Sequence, residues 1–112
     1  MITATMQKRD GRFVSYEISG HAESGDYGHD LVCASVTTLA MTTGDNIWRL
    51  AKVKPLVEKD NGYLKVELPL TLPKRSEETA QLLLEALENS LEMLTTDQHD
   101  FITFKTEEGN KK

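Results

Sequence analysis

The sequence is poor in cysteine: its 112 residues include one, Cys33. A single thiol excludes an internal disulfide, and a reducing cytoplasm is the expected compartment. No apolar run approaches the length of a membrane span, and Thr3, Gln7, Lys8 and Arg9 interrupt the N-terminal stretch. Neither a transmembrane helix nor a secretory leader is expected. Positive charge is short as well, with 13 Lys and Arg against 18 Asp and Glu and a net charge of -5. That argues against direct nucleic-acid binding, which normally needs a basic face. It suits encounter with a basic peptide or protein, although mild acidity also serves solubility alone.

What is present fits one modest domain, 38% hydrophobic and 28% charged. Ile2, Ala4 and Met6 alternate with polar residues, as do Val14, Tyr16 and Ile18, around Asp10-Gly11. This predicts a hairpin of Ile2 to Gln7 and Arg12 to Ser19. Gly20 to His29 reads as a loop. Asp30 to about Leu50 reads as a helix with Leu31, Val32, Val36, Leu39, Ala40 and Ile47 among its apolar positions, weakened by threonines and Gly44. Val53 to Glu58 and Tyr63 to Leu68 flank Asp60-Asn61-Gly62, a second hairpin. Ser76 is the expected N-cap of a second helix, with Glu77 and Glu78 at its positive end. Ala80, Leu83, Leu84, Leu87, Leu91 and Leu94 form its apolar stripe, a core face that could extend to a dimer interface. Phe101 to Lys105 reads as a last strand. The predicted fold is α+β, a ββαββαβ sandwich with helices packed on a mostly antiparallel sheet. One domain spans residues 1–106, and Glu107 to Lys112 is expected as a polar tail.

The chemistry gathers around the lone thiol. If Asp30 caps the first helix, Cys33 lies in its first turn, where free N–H groups favour a thiolate. That field is worth ~0.3–1 kcal/mol for an exposed group and up to ~2 kcal/mol when partly buried. A fully ionised thiol needs a second source, usually an imidazolium. Of the three histidines, His99 is distant in sequence, His29 sits beside Asp30, and His21 follows Gly20 at the end of a strand. Placement on a rigid element favours His21, with His29 next.

The run Gly20-His21-Ala22, then Gly28-x-Asp30-x-Val32-Cys33-Ala34 and Val36, resembles the ribosomal-processing cysteine protease family of bacteria. The resemblance covers essentially the whole chain, and its specific part is residues 20–37. It implies an endopeptidase that trims the N-terminal extension from large-subunit ribosomal protein twenty-seven. It implies Cys33 as nucleophile and His21 as proton carrier, an α+β sandwich, a homodimer, and no cofactor or metal. The family aspartate maps onto Asp30, for which plain capping is the alternative role. The serine often found four residues after the family cysteine is Thr37 here, one turn on along the same helix face. The hydroxyl is retained and a methyl is added.

Gly20, Ala22, Gly25, Tyr27 and Gly28 form the expected substrate loop. Its glycines relax the backbone, so it could open for a peptide and close over it, and Tyr27 could anchor an apolar side chain. Backbone N–H groups near Cys33 are the candidate oxyanion donors. Two other classes stay open: a ribosome-associated assembly adaptor without catalysis, and a thiol redox or metal-binding protein. For the latter, His21, His29, Asp30 and Cys33 are ligands by type, at a spacing that matches no common zinc pattern. Tyr16, Trp48 and Tyr63 are read as core or surface aromatics. The stretch Thr37, Thr38, Thr42 and Thr43 is read as a helix packed under strain, not as a binding face.

Overall fold

The computed structural model describes residues 1–20 and 27–109, and of residues 27–30 only the backbone. In chain order the elements are β1 (Ile2–Arg9), β2 (Arg12–Ser19), α1 (Tyr27–Ala51), β3 (Leu56–Asp60), β4 (Tyr63–Glu67), α2 (Lys74–Asp97) and β5 (Ile102–Gly109). The predicted ββαββαβ order and α+β class hold. The strands form one sheet in the order β3-β4-β2-β1-β5. All neighbours are antiparallel except β1 and β5, which run parallel.

This strand order explains the helix layer. The path β2–α1–β3 skips β4, and β4–α2–β5 skips β2 and β1, so each helix is a crossover between parallel strands. The two crossovers start from antiparallel neighbours and step in opposite directions. Right-handed connections then place both helices on the same face. One core lies between the layers. Ile2, Ala4, Met6, Tyr16 and Ile18 rise from the sheet, and Val32, Val36, Ala40 and Ile47 descend from α1. The stripe Ala80, Leu84, Leu87 and Leu91 comes from α2. Gly44 lets α1 close on the sheet, since a Cβ there would stand 3.3 Å from the Tyr16 hydroxyl. That hydroxyl donates to the Ala40 carbonyl at 2.6 Å, and its burial pushes the Tyr16 pKa well up.

Several boundaries differ from expectation, each for a local reason. Asp10 and Gly11 take φ of 55° and 81°, the geometry of a tight hairpin turn. A bulge follows: Gln7 pairs with Ser15 and Lys8 with Phe13, which leaves Val14 as the extra residue. Phe13 is therefore buried, and Val14 is not. The second hairpin starts at Leu56 rather than Val53. Lys52 turns left-handed at φ 62° to end α1, and Pro55 has no N–H for a ladder. Leu31, expected on the apolar face, is half exposed. Ser76 is the third residue of α2, not its cap; Pro73 holds the cap position without a side-chain hydrogen bond. The residues from Glu107 to Gly109 are not a tail, because they pair with Gln7, Lys8 and Arg9 in β5. Among the described residues no helix is long and apolar enough to cross a membrane.

Candidate functional site

The buried stripe of α1 (Val32, Val36, Ala40, Thr43, Ile47) faces the sheet. One helical step round from it, Cys33 is half-buried, at the margin of the core and in reach of solvent. It opens on a cavity of about 200 Å³ between α1 and the tip of the β3–β4 hairpin. Thr37 and Met41 continue the α1 wall; Ile18 and Gly20 form the β2 end; Lys59, Asp60, Gly62 and Tyr63 close the hairpin side. The cavity thus unites three of the expected residues: Cys33, Thr37 and Gly20.

Gly20 is held from two sides. Its N–H donates to the Gly62 carbonyl at 3.0 Å, which ties the end of β2 to the second hairpin turn. It sits at φ 91°, and a Cβ would stand 2.3 Å from the Met1 carbonyl oxygen. Only glycine fits there. The next residue in the chain is His21, so the anchor of the expected proton carrier is fixed at the cavity rim. His21, Ala22 and Gly25 lie outside the described residues, as do the side chains of Tyr27, His29 and Asp30. His99 pairs with Asp100 at 3.2 Å after α2 and takes no part in the cavity.

Two expectations for α1 are corrected. The helix starts at Tyr27, so Tyr27 and Gly28 belong to α1 rather than to a loop, and Asp30 is not the cap. Cys33 consequently sits in the second turn, beyond the first turn where the dipole acts most. The free N–H groups of a helix are its first four, here on residues 27–30, and those near Cys33 are spent within the helix. They are therefore not available as oxyanion donors. The threonine stretch divides: Thr43 donates to the Leu39 carbonyl at 2.8 Å, a packing role, while Thr37 lines the cavity.

The hairpin wall was missed by sequence reasoning. Lys59, Asp60 and Tyr63 flank a turn that was legible as a turn, but nothing local places it against Gly20. The Tyr63 hydroxyl bonds to the Glu17 carboxylate, which raises its pKa and gives the half-buried ring a fixed partner.

Comparison with known proteins adds to this geometry. A family model for cysteine protease Prp matches residues 1–103. The ribosomal processing cysteine protease Prp of Bacillus subtilis is 36% identical over 109 residues, covering 95% of this chain and 97% of that protein. The Staphylococcus aureus protein of the same name is 28% identical over 105 residues, covering 91% and 95%. Among solved structures, a Streptococcus mutans protein superposes with a TM-score of 0.86 at 37% identity, covering 97% of this chain and 96% of its own. The essential S. aureus ribosomal processing protease, crystallised with a substrate peptide, superposes with a TM-score of 0.83 at 25% identity, covering 95% and 99%. Its form with a covalently linked product peptide gives 0.80 at 26% identity, with the same coverage.

Proposed function

The chain belongs to the cysteine protease Prp family, and we propose that it removes the N-terminal extension from the precursor of bacterial large-subunit ribosomal protein twenty-seven. Cys33 is the nucleophile and His21 the proton carrier. One observation carries the assignment of the pair: the cavity holds Cys33 on one wall and Gly20, the neighbour of His21 in the chain, on another. Gly20 is held at that wall by its hydrogen bond to Gly62 and by the Met1 carbonyl, and the sequence runs directly on from it to His21.

The chemistry follows from the two groups. The imidazole takes the Cys33 proton, and the thiolate attacks the scissile carbonyl carbon, forming a C–S bond. Collapse breaks the C–N bond as the imidazolium returns its proton to the leaving amine. Water, deprotonated by the same imidazole, then attacks the thioester and releases the thiolate. Thr37, one turn beyond Cys33, brings a hydroxyl to the same cavity. The acidic balance of the chain favours encounter with a basic ribosomal substrate. We place the enzyme in the cytoplasm as a homodimer. The exposed Leu56 on the outer strand β3, which does not line the Cys33 cavity, supports a second copy there, which sedimentation would detect.

The test is incubation with the precursor, read by mass spectrometry. The mass of the extension should be lost with the native chain, and Cys33→Ala should leave the precursor whole while keeping its own fold. Cleavage undiminished in Cys33→Ala would reject Cys33 as the nucleophile, and no cleavage by the native chain would favour an assembly adaptor.

A further inference from the structure

The Cys33 cavity does not end at the thiol. A second cavity, of about 430 Å³, lies farther along α1 and shares Ala40, Met41 and Leu64 with the first. The two form one trough. Its α1 wall is Cys33, Thr37, Met41, Asp45 and Trp48, at steps of four, four, four and three residues, which is one helix face. Its far wall is Pro55, just before β3, and Val57 within it, and its floor is the buried pair Leu64 and Val66.

The far end of this trough is a built apolar site. Trp48 is 51% exposed and Met41 43% exposed, a costly surface for a free chain in water. The indole is not left loose: the Lys54 ammonium lies 5.3 Å from its ring centre. Lys54 thus stands against the ring that walls the trough.

Resting on the protease reading above, we infer that this trough seats the substrate on one side of the scissile bond, with an apolar or aromatic side chain held between Met41 and Trp48. Length sets the position. From Cys33 to Gly44, at the middle of the second cavity, the helix rises about 16 Å, the span of about five extended residues. The anchor residue therefore lies about five residues from the cut. An anchor that distant lets the enzyme select its substrate by a side chain that takes no part in bond breaking.

The probe is a synthetic peptide spanning the precursor's processing site, with the residues four to six positions to either side of the cut replaced one at a time by serine. With the native enzyme, one of these peptides should show KM raised about tenfold or more with kcat little changed. Trp48→Ser should raise KM for the parent peptide to the same degree and add nothing to the loss already caused by that serine peptide. Trp48 is the single tryptophan of the chain, so the parent peptide should also shift the emission of the Cys33→Ala protein, and the serine peptide should not. Unaltered KM for all peptides and for Trp48→Ser, in an enzyme that cleaves, overturns the trough and leaves the protease reading intact. A loss in Trp48→Ser that accompanies altered sedimentation assigns the face to a second copy and also overturns it. Failure of the native enzyme to cleave the parent peptide removes the protease reading and the trough with it.

Discussion

At Gly20 the structure has no room for a side chain. Its φ of 91° and the Met1 carbonyl at 2.3 Å from a notional Cβ act together. Gly20→Ala is expected to cost on the order of 2 kcal/mol in urea unfolding and to lower cleavage further, because His21 hangs from this residue. Equal stability of the variant would show that the Met1–Gly20 approach yields freely. The need for glycine was not legible from sequence, since the obstructing atom belongs to a residue distant in the chain. Cys33 stands out in the sequence as its one thiol, and the structure places it on the cavity wall. Its exact depth in α1 was not legible: Asp30 looked like a cap, yet the helix begins at Tyr27. In the proposed mechanism, the weaker dipole of the second turn leaves more of the thiol's activation to an imidazole. Alkylation of Cys33 by iodoacetamide at neutral pH should therefore slow at least tenfold in His21→Ala. An unchanged rate would pass the role to His29.

The elements are joined by a few polar clamps as well as by the core. The start of α2 is fixed to β2 by Arg12, whose Nε and Nη2 donate to both oxygens of Glu77 at 2.6 Å each. The Gln81 amide, one turn later, bonds both the N–H and the carbonyl of Phe13 at 2.8 Å. With no side-chain cap at Pro73, these clamps are what tie the start of α2 to the sheet. The guanidinium hydrogen bond holds the Glu77 carboxyl below its ordinary value. A depressed carboxyl stabilises the fold above the unfolded-state pKa of about 4.3, and that contribution fades as pH falls through the lower folded-state value. Glu77→Gln should thus cost about 1 kcal/mol at neutral pH, modest because the pair is partly exposed. The difference from the native chain should be constant above about pH 5 and vanish in acid. A difference that grew in acid would contradict the assignment. Element types and order were legible from periodicity and turn residues. The burial of Phe13 instead of Val14 was not, since it depends on the bulge against Lys8.

At the scale of the whole molecule, class and element order followed from the sequence, but the strand order and the trough did not. Both depend on where crossovers land, and no local pattern reports that. The residues expected as a tail are the clearest case. Glu107 to Gly109 pair with β1, and the Glu108 carboxylate accepts from the Gly11 N–H at 3.1 Å across the hairpin turn. A chain truncated after Thr106 should melt at least about 4 °C lower, followed by circular dichroism, and an unchanged midpoint would restore the tail. The parallel pairing of β5 with β1 also orders events during synthesis. Ile2, Ala4 and Met6 are made early, yet one edge of their strand stays bare until Ile102 and the residues after it have been made. A nascent chain carries an open strand edge through most of its translation, a template for unwanted pairing. β1 is covered only when the last strand joins, and contacts between segments so far apart in sequence make that step slow.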